Sequence, residues 1–246
     1  MSRLFIASAA CARRRQGIMK VLGTAIAILA LTAAPSIAQE KGVLDPAGYV
    51  SGFGGAAWTA GNSTGSVLFE GGVRVAPHVM VFANVGRFAD LQADLVPTID
   101  ATTTALSNSG LGVTGTGTLP AWYGVGGVRA EIPANVHVLP YVLGGIGAAH
   151  LSPTAQFTYS SGTMPDGSAP AIGTDVTSTL VSTGSYTAPP SSNAFMLMLG
   201  GGVAVPLVPH WAVDVGYRYS RIAADTTLSA TGLNTNVMTF GFGYRF

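Results

Sequence analysis

The sequence predicts an all-β fold, an eight-stranded antiparallel up-and-down transmembrane β-barrel, and three observations carry that prediction. The first is the last stretch of the chain. Met238, Phe240, Phe242, Tyr244 and Phe246 fall on one side of an extended backbone, while Val237, Thr239, Gly241, Gly243 and Arg245 fall on the other. A soluble sheet turns its bulky apolar face to a core and has no need of glycines facing water. A narrow barrel in lipid inverts this, with bulky apolar side chains against hydrocarbon and small or polar ones filling a tight lumen. The second observation is composition: 48% apolar residues, only 9% charged, and 33 glycines. Each glycine inside a helix costs about 1 kcal/mol relative to alanine, so this chain is a poor helix bundle. The third is that short and long connections alternate between the predicted strands, as an up-and-down membrane barrel requires.

The strands are predicted at residues 49–58, 67–76, 79–87, 122–132, 136–149, 195–205, 210–221 and 236–246. The first two are joined at a Gly61-Asn62-Ser63 turn signal and read as a hairpin. In the second, Val67, Phe69, Val73 and Val75 share one face and Glu70, Gly72 and Arg74 the other. Alternation does not settle the facing of the third. In the fourth, Arg129 and Glu131 oppose Val128, Ala130 and Ile132, and Pro133-Ala134-Asn135 forms a tight turn. The fifth contains Pro140, and the sixth is followed by Pro206-Leu207-Val208-Pro209. The seventh alternates Trp211, Val213, Val215, Tyr217 and Tyr219 with Ala212, Asp214, Gly216, Arg218 and Ser220. Residues 88–120, 151–192 and 222–234, rich in Thr, Ser, Gly or Pro, read as loops. A repeat supports the count: Gly71-Gly72-Val73, Gly126-Gly127-Val128 and Gly201-Gly202-Val203 each precede a proline, at 77, 133 and 206, and each marks a descending strand. Even number and closure leave no unpaired edge in hydrocarbon.

The rival is a helical membrane protein, because residues 193–213 lack Lys, Arg and Glu and Asp over a helix-length span. Three consecutive glycines and two prolines there oppose it, and the other strands place charges at spacings that a lipid-exposed helix does not tolerate.

Near the start, Met19-Lys20 is followed by an apolar run over 21–32 and then Pro35-Ser36-Ile37-Ala38. The small-x-small pattern at Ser36 and Ala38 predicts cleavage before Gln39, so residues 1–38 are read as a signal peptide and 39–246 as the barrel. Residues 1–18, with Arg13, Arg14 and Arg15, are either an extended leader or a start placed too early. Cleavage removes five of twelve basic residues and none of eleven acidic ones, so the net charge falls from +1 to −4. No basic stripe remains, which disfavours a nucleic-acid partner. The only cysteine, Cys11, leaves as well, so closure of the sheet must supply the stability that disulfides give many exported proteins.

Together the leader, the eight alternating segments, the Asp214-Val215-Gly216-Tyr217-Arg218-Tyr219-Ser220 stretch and the aromatic terminus resemble the small OmpA/OmpX-like barrels, with their surface-antigen and opacity-protein relatives. The resemblance spans residues 39–246. It implies an outer membrane of Gram-negative type, contact with outer-membrane lipids including lipopolysaccharide, and insertion machinery that recognises Tyr244 and the terminal Phe246. Unlike full-length OmpA proteins, nothing follows the last strand here, so no peptidoglycan-binding domain is expected.

The expected inward charges are Glu70, Arg74, Arg129, Glu131, Asp214, Arg218 and Arg245. An eight-stranded lumen is only wide enough to be filled by side chains, and an unpaired ion there costs on the order of several kcal/mol. These residues are therefore expected to pair into a plug in the periplasmic half. Trp58, Trp122 and Trp211 fall at predicted strand ends, where an aromatic girdle meets the membrane boundary. An enzyme is the weaker reading. His150 and Ser152 resemble the His-x-Ser dyad of outer-membrane lipid A deacylases, but Pro153 replaces that family's asparagine and no acid is assignable to orient the histidine. His78, His137 and His210 lie at or near turns without metal-ligand spacing, and no cofactor is expected. Asp90, Asp94, Asp100, Asp166, Asp175 and Asp225 place negative charge in the loops, where recognition of an unidentified surface ligand competes with plain solvation. The expected function is non-enzymatic: envelope structure and surface interaction through the long loops, with a narrow pore for small solutes or ions and a lipid A-modifying enzyme as alternatives.

Overall fold

A computed structural model describes residues 46–59, 62–91, 95–132, 138–223 and 232–246. The predicted leader and its cleavage site, the Pro133-Ala134-Asn135 turn, His137, Asp94 and Asp225 lie outside the described residues. Eight strands close into an antiparallel barrel: β1 (Gly48–Thr59), β2 (Asn62–Ala76), β3 (Val79–Phe88), β5 (Ala121–Glu131), β6 (Leu139–Leu151), β8 (Ser192–Val208), β9 (Trp211–Ala223) and β10 (Leu233–Arg245). Each strand pairs with its successor in the barrel, and β10 closes on β1, with Tyr49 opposite Arg245 and Trp58 opposite Asn236. Every ladder is thereby paired, which is what backbone in hydrocarbon requires.

Facing follows the period of two. On β10 the aromatics point out and Val237, Thr239, Gly241, Gly243 and Arg245 point in. On β2, Phe69 is 69% exposed and its neighbour Glu70 only 3%. The third strand, unsettled from sequence, turns Met80, Phe82, Asn84 and Phe88 inward and Val81, Val85 and Arg87 outward. Four cross-strand pairs set inward glycine against inward aromatic: Tyr49 with Gly72, Phe53 with Gly241, Tyr123 with Gly86 and Tyr141 with Gly202. A Cβ on Gly72 would stand 2.5 Å from the Tyr49 ring, and one on Gly202 2.6 Å from the Tyr141 hydroxyl. These glycines are the space into which the rings lie.

At the short-turn end, β2 joins β3 through Pro77-His78 and β8 joins β9 through Pro209-His210. Both histidines hold positive φ, 62° and 74°. His210 was expected to open a strand and Pro206 to close one; instead β8 runs on through Pro206, where the register with β9 shifts. A proline lacks the N–H the ladder needs, so it sits where the ladder is already irregular.

The larger correction concerns the two long segments read as loops. Residues 88–120 contain helix α1 (Leu95–Asn108) and strand β4 (Gly112–Thr118), and residues 151–192 contain strand β7 (Thr154–Ser161) and helix α2 (Thr177–Ser182). β4 and β7 pair antiparallel, with Thr114 opposite Thr158. Alternation does the same work here as in the barrel. Thr114, Thr116 and Thr118 face solvent, whereas a Cβ on Gly115 would run into Ile99 of α1. Phe157 is fully buried, and Tyr186 packs edge-on against it at 4.8 Å. Leu180 of α2 and Ile99 and Leu106 of α1 are buried in the same cluster. That cluster runs on without a break through Leu91, Leu119 and Leu151 to Phe88 and Tyr123 in the barrel. The third predicted loop has strand at both ends, since β9 reaches Ala223 and β10 begins at Leu233.

Candidate functional site

Two features of the barrel interior and rim bring chemistry-bearing residues together. In the short-turn half of the lumen, alternation on β2, β5, β9 and β10 turns Glu70, Arg129, Glu131, Asp214, Arg218 and Arg245 inward, all buried. Arg218 Nη1 donates to Glu70 Oε2 at 2.6 Å, and Arg245 Nη2 lies 3.1 Å from Glu131 Oε1. Arg129 stands among three acids: Glu131 at 3.4 Å, Asp214 at 3.5 Å and Glu70 at 3.6 Å. These contacts are longer than direct charge-assisted hydrogen bonds. The guanidinium gains a second attraction from two phenol rings, its carbon lying 3.6 Å from the Tyr141 centroid and 4.7 Å from that of Tyr49. Three cations and three anions balance in this network.

Arg74 is placed elsewhere. It is half-buried at the short-turn end, beside the register shift between Arg74 and Ala76, and its Nε donates to the Pro46 carbonyl at 2.8 Å. The side chain thus serves the rim rather than the six-residue cluster. The lumen's neutral partners were not foreseen from sequence. The Tyr49 hydroxyl donates to Glu70 at 2.8 Å, the Tyr141 hydroxyl donates to Asp214 at 2.6 Å, and the Asn84 amide reaches Glu70 at 3.4 Å. Both tyrosines share the inward parity and oppose glycines of the repeated Gly-Gly-Val motif, a signal that was available and unused.

The tryptophans all face outward. Trp58 and Trp122 lie at the long-loop end, and Trp211 lies at the short-turn end. There Trp211 stacks on Phe242 at 4.8 Å, and Tyr244 stacks over His210 at 5.5 Å and near Phe246 at 6.4 Å. His150 also faces outward. Its Nδ1 is hydrogen-bonded to Asn193 Oδ1 at 2.8 Å, so the group orienting the ring is an amide on β8. Among the described residues the Ser152 hydroxyl makes no hydrogen bond to His150; the Ser152 N–H is held by the Pro120 carbonyl at 3.1 Å.

The loop acids mostly build turns. Asp90 accepts from the Leu119 N–H at 2.7 Å. Asp166 accepts from both the N–H and the hydroxyl of Ser168, which hold its carboxyl below the usual aspartate range. Asp175 is likewise lowered, by the backbone N–H and hydroxyl of Thr177 and by Gln156. Asp100 is exposed on α1.

Among solved structures, the chain is similar to neisserial surface protein A at 13% identity, covering 84% of this chain and 100% of that one with a TM-score of 0.49. It is similar to the Yersinia pestis attachment invasion locus protein Ail at 14% identity, over 81% and 96% of the two chains with a TM-score of 0.42. The N-terminal β-barrel domain of Pseudomonas aeruginosa OprF matches at 10% identity over 83% and 100%, also with a TM-score of 0.42. No curated protein sequence matches. A family model, the outer membrane protein beta-barrel domain, matches residues 24–246, and with a closed eight-stranded barrel wearing apolar side chains on its outside, the chain belongs to that family of outer-membrane β-barrels.

Proposed function

We propose that this outer-membrane barrel is non-enzymatic and that its two longest loops act as a folded platform for contact at the cell surface. The observation that carries the reading is the shared core of α1, β4, β7 and α2. Two segments some distance apart in sequence bury Ile99, Phe157 and Leu180 together and continue the barrel's own apolar cluster. A segment that only shields a membrane surface gains nothing from such a core, whereas a binding surface gains from being rigid before its partner arrives. On the exposed face of the β4–β7 ribbon, Thr114, Thr116, Thr118, Thr154 and Gln156 are polar, and the Gln156 amide donates to the Asp175 carboxylate at 3.0 Å.

The alternatives have less support. A pore is opposed by a lumen holding six buried charged side chains at one end and Phe88, Leu119 and Leu151 at the other. Stable porin-sized conductance from the purified protein in planar bilayers would count against the closed reading. A lipid-modifying enzyme needs an activated nucleophile, and Ser152 has no hydrogen bond to its nearest candidate base. The platform is tested by replacing residues 95–117 and 154–191 with short turns. The expected outcome is a barrel that still inserts while adhesion to surfaces or phage sensitivity falls; unchanged adhesion and phage sensitivity in a correctly inserted variant overturns the proposal.

A further inference from the structure

The β4–β7 ribbon of the loop platform is closed along one edge and open along the other. On the β7 side, the Phe157 carbonyl accepts from the Val176 N–H at 2.9 Å and the Phe157 N–H donates to the Thr177 hydroxyl at 2.8 Å. Tyr159 does the same two residues along, donating to the Thr174 carbonyl and accepting from the Gly173 N–H, both at 2.9 Å. Phe157 and Tyr159 therefore turn their main-chain groups away from β4. In an antiparallel ladder, directly opposed residues exchange both bonds or neither. Gly115, opposite Phe157, and Val113, opposite Tyr159, accordingly aim their own N–H and C=O groups away from β7, along the outer edge of β4.

No hydrogen bond among the described residues reaches the main chain of Val113 or Gly115 at that edge. Nearer the barrel the edge is taken: the Leu91 N–H donates to the Leu119 carbonyl at 2.8 Å, and Asp90 accepts from the Leu119 N–H at 2.7 Å. Val113 and Gly115 are half-buried, with α1 on the inner face of the ribbon, where a Cβ on Gly115 would meet Ile99. Exposed strand edges are ordinarily blunted by a charged side chain, a proline or a bulge. Residues 111–119 contain no charged residue and no proline, and the register of this ladder shifts only between Gly112 and Val113, at its far end. The surroundings carry charge of one sign. Residues 88–120 and 151–192 hold the aspartates at 90, 94, 100, 166 and 175 and no lysine, arginine or histidine. Asp90 stands at the foot of the open stretch, and Asp100 is exposed on α1.

We propose that the open edge of β4 takes an extended segment of a basic partner protein as an added strand. The proposal rests on the platform reading and names the chemistry of the partner. The main chain of the added strand completes the bonds of Val113 and Gly115, and its lysines or arginines meet the aspartates around them. A second copy of this chain fits less well, because two such platforms bring like charges together.

The test uses the folded full-length protein in detergent with three synthetic peptides. In one, lysine alternates with valine or threonine; the second is the same peptide with every main-chain nitrogen methylated; the third has glutamate in place of lysine. Amide hydrogen exchange followed by NMR reads the edge directly. In the protein alone, Val113 and Gly115 are expected to exchange faster than Thr114 and Thr116, whose N–H groups face β7. Saturating lysine peptide is expected to slow the two edge amides about tenfold, with Thr114 and Thr116 little changed. The other two peptides are expected to leave all four amides as they were. Val113→Pro removes an edge N–H that β7 does not use, so the ribbon keeps its ladder, and affinity for the lysine peptide is expected to fall about fivefold. Should that variant lose the platform, the methylated peptide still decides the matter. No slowing by the lysine peptide overturns the proposal. Equal binding of the methylated peptide reduces the contact to charge and overturns the added strand, with the platform reading left standing. Equal binding of the glutamate peptide overturns the basic partner. Slow exchange of Val113 and Gly115 in the protein alone also overturns it: dependence on protein concentration assigns the edge to a second copy, and independence shows an edge already closed.

Discussion

The two ends of this lumen are closed by opposite chemistry. The periplasmic half is filled by three arginines and three acids locked to tyrosine and asparagine, whereas the extracellular half is filled by Phe88, Ala149, Met196 and Ile222 and roofed by Leu91, Leu119 and Leu151. Both arrangements fill the interior, but they fail differently. An ion network is all or nothing, because removing one member strands a buried charge of the other sign. An apolar plug weakens by degrees, in proportion to the volume lost.

The sharpest way to break the contrast is Arg129→Ala, which leaves Glu70, Glu131 and Asp214 facing only Arg218 and Arg245. Breaking a buried pair costs about 3–5 kcal/mol, and the loss is expected to be global, lowering the urea midpoint of the whole barrel in lipid vesicles. If Arg129→Ala unfolds at the wild-type midpoint, the network is not what fills and holds that half. Phe157→Ala removes the centre of the loop platform and costs the platform about 3 kcal/mol. Here the damage is expected to stay local. Limited proteolysis should cut within residues 154–186 while the barrel midpoint moves little; loss of the barrel along with the platform would show one cooperative unit and erase the distinction.

The smallest effect is electrostatic. Asp175 is held below its ordinary value of 3.8 by Thr177 and Gln156. A carboxyl depressed in the folded state contributes stability above its unfolded pKa and loses that contribution as pH falls through the lower, folded one. Hydrogen exchange at Thr177 and Phe157 is therefore expected to quicken only below about pH 3.8. Asp175→Asn should remove that acid step, and a step that persists in the variant assigns it to another group.

The same contrast explains how much could be read in advance. Seven buried charges were expected from alternation, and six occur together, because a charge on a strand can be assigned to a face from its immediate neighbours. Arg74 stands opposite inward-facing Met80 but at the end of the regular ladder, on the rim, where its Nε donates to Pro46, and a period of two gives the face of a charge without giving its partners. The platform was illegible for a different reason. Its buried residues are few among Ser, Thr and Gly, α1 carries a run of three threonines that favour helix poorly, and β4 has no partner closer in sequence than β7. Nothing local marks either element. Only the proximity imposed by β5 and β6, between the two segments in the chain, brings them into contact.

Period-two alternation, the glycines and the paucity of charge were sufficient by themselves to determine the barrel, its eight strands and, on strands with clean alternation such as β9 and β10, which side chains meet lipid, because each of these is decided within two or three residues of backbone. The tertiary structure alone decided which buried acid each arginine meets and that the long segments fold on one another. Those depend on register between strands that are distant in sequence, and register is set by the closure of the whole ring.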